Sequence, residues 1–450
     1  MKNIKVKTLG AVLAAFAIVN SHADEAEQPG EGMLFRSLFG DTLERDYGIT
    51  VSSLLDIGYS RNNRSTHDER KDGLSNLPVA GFSDEGFELG TWHLFVDKPL
   101  KANLIPRITP LPGPKPEAFD FGFTFEAAYG RNAQFARTFG WDMAWGMNEQ
   151  DAAKAQRDKD QFLSVPNLAA TAYLPYGPGF TVMAGIFGPA FGYEIPPNIR
   201  LARNPFASRT YAFVSNLVTV SGVMLSSKVM DGPQGLLGVE FGVAQGWSNM
   251  RDNNDDKALL GALRWRTPDL QTWIDYEFMV GNQENESVKD VQAPTSRLIS
   301  PDGQLRQQHS LNGWHRFDER WSMGAELVYG RQDGDGKPST VDIITGPGFD
   351  GAHWWGANAV VTYQIRPDLT FSVRGEHFRD PDGFTLFPTT TARGNFNAIT
   401  SGFRYDVNKN LSLRPELRYD WFDAEEHDRP FGNGRDRNQL TATVEALVYF

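Results

Sequence analysis

The chain has 450 residues, a net charge of −12, 12% aromatic residues, 44 glycines and no cysteine. The acidity argues against nucleic acid, which needs a cationic surface, and the missing thiols exclude disulfides and cysteine-ligated zinc. A mean hydropathy of −0.41 reads as soluble, yet a barrel strand dilutes its apolar face one-to-one with polar residues, so the value does not exclude a membrane wall.

Lys2, Lys5 and Lys7 precede an apolar run from Thr8 to Val19, and Ser21-His22-Ala23 follows with small residues where a signal peptidase reads. Residues 1–23 are therefore expected to be a secretory signal, too short in its apolar run to be an anchor. Residues 24–47 read as a periplasmic lead-in, in which Met33–Phe39 followed by Leu43-Glu44 has the spacing of a short amphipathic helix. No later run of about 18 apolar residues occurs, so no helix is expected to span a bilayer.

From residue 48 to 450 the pattern is one of strands. Ile49, Val51, Leu55, Ile57 and Tyr59 alternate with polar residues, and Phe87–Asp97 and Phe119–Arg131 continue the series. Phe119, Phe121, Phe123 and Phe125 share one face. Between those two strands lie Pro106, Pro110, Pro112, Pro114 and Pro116, which predict a stiff extended loop because proline cannot join a ladder. Ala133–Asp160 is the least strand-like stretch. Residues 151–160 have helical propensity, and the segment reads as an outer loop in preference to an inward constriction.

After Val214 the alternation sharpens. Turn signals at Asp231, Pro268, Asp318, Pro367 and Asn408 separate strands of period two. They are interleaved with long polar segments at Ser248–Asp256, Asn282–Arg306, Gln332–Gly351, Arg379–Arg393 and Asp423–Asp436. Tight connections on one side and long ones on the other are the signature of an all-β, up-and-down antiparallel transmembrane β-barrel, with short periplasmic turns and long extracellular loops. The spacing predicts about 16 strands, with 18 as the alternative. The last strand places Leu440, Ala442, Val444, Ala446, Val448 and Phe450 on one face, with Leu447 and Tyr449 as apolar interruptions of the polar one. A terminal aromatic on the lipid face suits the girdle at the membrane boundary. Phe450 is accordingly expected to be the membrane-insertion signal.

If that face meets lipid, the alternate face meets the lumen. The expected pore-lining set is Glu240, Arg264, Arg266, Asp275, Glu277, Glu326, Arg374, Glu376, Arg404, Arg414, Glu416, Arg418, Asp420 and Glu445. Charges on the lipid face would cost about 2–4 kcal/mol for Arg or Lys at the midplane, so their regular placement supports the barrel. Opposed arginines and acids across water create a transverse field favouring polar solutes; for any single residue, simple pairing in a wet interior is the competing account. Gly238, Gly242 and Gly246 leave room on that face for an inward loop, or bend the strand. Trp247, Trp265, Tyr329, Tyr419, Trp421 and Phe450 read as outward girdle anchors, and Trp273 as an inward aromatic.

The stretches Arg374–Gly383, Ile399–Asp406 and Asn410–Asp420, together with Asn204–Tyr211, Ser221–Leu225, Gly246–Asn249 and Trp355-Gly356, resemble the outer-membrane β-barrel porins of the OmpL-like family over most of the chain. Residues 46–60 also resemble, more distantly, carbohydrate-selective porins. The resemblance implies a Gram-negative outer-membrane channel for passive diffusion of small hydrophilic solutes. The alternative is a channel selective for a carbohydrate or an organic ion. The partners expected are outer-membrane lipid and lipopolysaccharide, the barrel assembly machinery, small hydrophilic solutes and, as an alternative to a single barrel, a homotrimer.

A barrel enzyme or a loop-based binding or adhesion protein is the competing class. His309 and Ser310 are neighbours, so they point to opposite faces. His315, His353, His377 and His427 lie in or beside loops without a serine at strand spacing, and no Gly-x-Ser-x-Gly occurs in a strand–helix context. No enzyme and no cofactor are expected. Asp252–Asp256 and Asp333–Gly336 are acidic loop clusters that lack the spaced glutamate of a calcium loop, so no metal is expected there either.

Overall fold

The computed structural model describes residues 40–64, 82, 85–105, 109–110, 112–142, 145, 161–188, 191–194, 204–216, 218–251, 256–283, 304–334, 350–386, 392–424, 428–432 and 434–450. The described chain opens with a short helix, α1 (Thr42–Tyr47), none of whose residues is buried. The signal segment, the Met33–Phe39 part of the expected lead-in helix and the helix expected at 151–160 lie outside the described residues.

The strands are β1 (Thr50–Asn62), β2 (Gly86–Lys98), β3 (Leu104–Ile105), β4 (Thr109–Pro110), β5 (Asp120–Gly130), β6 (Phe162–Leu174), β7 (Phe180–Phe187), β8 (Val220–Gly232) and β9 (Gly235–Ala244). Then come β10 (Ala258–Arg266), β11 (Thr272–Gln283), β12 (Gln304–Arg316), β13 (Trp321–Asp333), β14 (Gly351–Arg366), β15 (Leu369–Asp380), β16 (Gly394–Asn408), β17 (Leu411–Asp423) and β18 (Asn438–Tyr449). All but β3 and β4 form one closed barrel of 16 antiparallel strands in chain order, closed by β1 against β18. Closure leaves no sheet edge, which a wall inside lipid requires.

The period of two survives along the wall. In β18, Gln439, Thr441, Thr443 and Glu445 are buried inward, while Leu440 and Val444 are exposed outward. Leu447 and Tyr449 also point inward, and with Leu54 they form a small apolar cluster that Phe95 partly covers. Lipid-facing aromatics fall into two bands. Trp321–Tyr363 and Phe371–Phe403 pair at 4.6 and 5.0 Å near the tight turns, and Tyr419–Trp421 pair at 5.8 Å near the long loops. Trp247 departs from the expectation of a girdle anchor. It lies beyond the end of β9, where Gly246 takes a φ of 138°, and it is buried with Phe191, Met224 and Leu260.

The connections segregate by length. Those at 175–179, 233–234, 267–271, 317–320, 367–368 and 409–410 lie at one end, and the long segments lie at the other. The exception is 99–119, which joins β2 to β5 at the turn end. Of its prolines, expected in a plain extended loop outside any ladder, Pro110 lies in β4, paired with Leu104 of β3, and Pro112, Pro114 and Pro116 follow it; Pro106 lies outside the described residues.

Candidate pore constriction

In the 188–219 connection between β7 and β8, the described residues 191–194 and 204–216 lie inside the barrel and carry a second helix, α2 (Tyr211–Ser215). Wall carboxylates hold this segment by its backbone. Glu416 on β17 accepts from the amides of Ala207 and Ser208, at 2.8 and 3.2 Å. Glu376 on β15 accepts from the Tyr211 amide at 2.8 Å, and Glu277 on β11 accepts from the Gly192 amide at 2.9 Å. Within the segment, Glu194 accepts from the amide and hydroxyl of Thr210 at 2.7 and 2.9 Å, which caps α2 from outside. Backbone amides without a helix or sheet partner need such acceptors once buried.

Guanidinium groups complete the lattice. Arg374 bonds Glu194 at 2.6 Å and the Ser208 carbonyl at 2.9 Å. Arg418 reaches Glu376 at 2.7 Å, Asp420 at 2.8 Å and the Arg209 carbonyl at 3.0 Å. Arg414 joins Glu445 to the Asn204 carbonyl, and the Tyr211 hydroxyl donates to Asp420 at 2.9 Å. On the loop itself, burial lowers the Arg209 guanidinium to about 10, so it stays charged at neutral pH. Burial also drives the Tyr211 hydroxyl well above the usual phenol range.

A second charged cluster faces inward from β9–β11. Arg264 contacts Glu240, Asp275 and Glu277 at 3.1, 2.7 and 3.0 Å, and Arg266 bonds Asp275. Glu326 accepts from Asn358 at 3.1 Å and from Asn216 of the segment at 3.2 Å. Arg404 pairs with Asp406 at 2.9 Å and stays partly exposed towards the turn end. Each charged residue expected in the lumen thus lies on the inner wall; all but Arg404 are buried in networks, and most of these networks reach the segment.

Apolar contacts fix both limbs. Tyr211 and Ala212 join Trp354, Phe378, Phe396 and Phe422 in one cluster, with the Tyr211 and Phe396 rings 5.0 Å apart. Phe191 packs with Met183, Met224, Leu260 and Met279 on the opposite side. Trp273 faces inward and stacks on Tyr193 at 5.9 Å with 15° between the rings.

The start of the 131–161 connection also turns inward, against the expectation of an outer loop. Asn132, Ala133, Gln134, Ala136, Arg137, Thr138 and Asp142 are buried. Asp142 accepts from the amides of Thr138 and Val165 at 2.7 and 2.6 Å. Hydrogen bonds Thr138–Thr219 (2.9 Å) and Phe139–Ser248 (2.8 Å) tie it to the neighbouring loops. Among the described residues no group of His, Asp or Glu is arranged to hold a metal; most of Asp252–Asp256 and half of Asp333–Gly336 lie outside them. His309 turns outward to Tyr276, at 2.9 Å, while Ser310 is buried inside.

A wall closed on itself, charged within, and narrowed by a loop pinned across its interior is the architecture of a porin. The family model described as "Putative beta-barrel porin-2, OmpL-like" matches residues 48–450. The chain belongs to that family. It is an outer-membrane porin. Among solved structures, this porin is similar to the outer membrane channel DcaP of Acinetobacter baumannii, at 11% identity and a TM-score of 0.52, over 89% of this chain and 97% of that one. It is similar to an anion-selective porin from Comamonas acidovorans at 9% identity and a TM-score of 0.52, over 89% and 99%. At such identities the likeness is one of fold. No curated protein matches the porin.

Proposed function

We propose that this porin passes small hydrophilic solutes through a narrow, charge-lined passage whose width is set by residues 188–219, and that it performs no chemistry on them. The observation that carries the reading is the pinning of the segment's backbone amides by the wall carboxylates Glu277, Glu376 and Glu416. A loop held at three points along its length narrows the bore without closing off diffusion. Of the fourteen inward charges named from the sequence, Arg404 stays partly exposed, and the other thirteen act on the passage from buried networks behind it. Among the fourteen, acids outnumber arginines, Glu194 and Arg209 of the segment offset each other, and the remaining excess favours cations. In the same reading, residues 1–23 direct export and 24–47 lead in from the periplasm. Phe450 supplies the signal for the barrel assembly machinery, and lipid and lipopolysaccharide surround the wall, with a homotrimer as one assembled form.

Single-channel recording of the refolded protein in a planar bilayer tests this. Small stable steps and a cation-selective reversal potential under a salt gradient are the expected result. A heat-stable barrel that never conducts would overturn it.

A ring-selective channel is the second reading, favoured by the part-exposed Trp273–Tyr193 stack, beside which Arg266 lies over the Trp273 ring at 5.2 Å. Stacked aromatic faces take the flat face of a sugar ring. Current interruptions by glucose but not by the open-chain sorbitol, lost in Trp273→Ala, would establish it.

A further inference from the structure

The 99–119 connection sits at the turn end yet runs far longer than its neighbours at 233–234 or 367–368. Its path crosses the lumen face of the wall. A side chain at Gly122 on β5 would meet first the wall atoms of Lys98 on β2 and Thr171 on β6, with the Leu100 amide of the connection just beyond them. Beyond β5, Asn103 donates to the Pro178 carbonyl at 3.1 Å, and Thr181 on β7 donates to the Leu104 carbonyl at 3.1 Å. Leu104 is fully buried, and its Cδ1 occupies the place that a Cβ on Gly238 of β9 would need. β3 and β4 then reverse the chain with β4 packed on β9 and β10.

The return limb is held by its carbonyls. Lys228 on β8 donates to Gly113 at 2.7 Å, and Tyr173 on β6 donates to Pro116 at 3.1 Å. Lys115 reaches back to the Pro175 carbonyl at 2.6 Å. Proline lacks an amide hydrogen, so a proline-rich segment presents mostly acceptors, and the wall supplies donors to match. Gly238 leaves room for Leu104, and several donors give the clasp.

We infer that the described residues of this connection, 99–105, 109–110 and 112–119, form a second size filter, placed at the turn-end mouth and independent of the 188–219 constriction. The segment covers the inner wall from β5 to β10. Solutes leave along the opposite side, where Trp273, Gln364 and Arg404 stay partly exposed. The inference rests on the porin reading, and two measurements separate them. Two variants displace the segment: Gly238→Leu, which fills the place of Leu104, and a replacement of residues 101–117 by a short Gly-Asn-Gly linker. Each is recorded in planar bilayers after insertion from one side, with polyethylene glycols of graded size added to either mouth.

The expected result is a rise in conductance of about 1.5- to 2-fold, since removal of a series constriction widens the path. The polymer cut-off from the turn side shifts to larger sizes, and the cut-off from the loop side is unchanged. Barrels that remain heat-modifiable but keep the wild-type conductance and turn-side cut-off overturn the filter and leave the porin standing. Wild type and variants all silent would remove the porin reading and the filter together. If Gly238→Leu does not assemble, the linker replacement carries the test alone.

Discussion

Two segments enter this barrel from opposite ends, and they are held in opposite ways. Residues 204–216 lie against the β13–β18 side and are fixed by carboxylates and guanidinium groups that share partners, while Phe191 of the same connection packs on β7–β11. Residues 99–119 lie against β5–β10, fixed by the cleft at Gly238 and by neutral or singly charged donors to carbonyls. A buried charge lattice depends on every member, because a lost partner strands another charge where water cannot reach it. A shape-keyed contact loses only what is removed. The same barrel therefore carries one inward segment whose hold is strong but brittle, and one whose hold is weaker and more forgiving.

The sharpest way to break that contrast is Arg418→Met. It leaves Asp420 without its guanidinium partner, leaves Glu376 with Arg374 at 3.8 Å, and removes the donor to the Arg209 carbonyl, so a loss of about 3–5 kcal/mol is expected. The midpoint of urea unfolding, read from heat-modifiable migration, should fall accordingly, and single-channel current should become noisy. On the other segment, Gly238→Leu is expected to cost about 1–3 kcal/mol, as overpacking does, with the same unfolding assay showing the barrel retained. If the two changes cost the same, the difference in hold is not real.

The 131–142 segment sharpens the contrast through pH. Burial raises the Asp142 carboxyl to about 6, against the pull of the Thr138 and Val165 amides and Arg137. Released from the wall, the group would titrate near 3.8. The docked state therefore holds the extra proton between those values. Docking strengthens as pH falls from 7 to about 4, and the gain is lost as pH rises through about 6. The effect is at most about 3 kcal/mol. Hydrogen-exchange protection of 131–142, corrected for intrinsic rates, should show it, and Asp142→Asn should flatten the profile. The smallest expected effect is Lys228→Met, which removes the donor to the Gly113 carbonyl for about 1 kcal/mol. It should leave the loop-side polymer cut-off untouched.

The wall was legible because its information is local. Strand period, turn residues and alternating loop lengths are each written within about a dozen positions, and they led to a barrel of 16 strands with its charges inward. The constriction was not legible in the same way. Ala207 meets Glu416 and Tyr211 meets Asp420 across 209 residues of chain in each case, and residues 188–219 carry no periodicity to mark them. A signal was nonetheless present. Trp354, Phe378, Phe396 and Phe422 fall on the inward face of successive strands near the loop end, and large aromatics in a wet bore require a cover. Trp247 departs from the alternation because β9 stops at Ala244 and the chain turns inward at Gly246. The prolines at 106–116 announced a connection outside the wall ladder, and only Gly238 hinted at where it lies.

Gly238 carries a consequence for ancestry. It sits in no tight turn, and the end of the Leu104 side chain lies where its Cβ would be. A larger residue there asks Leu104 to shift, so the two positions should change together across descendants. A relative with a larger residue at the place of Gly238 should have a smaller one at the place of Leu104, or a shorter connector.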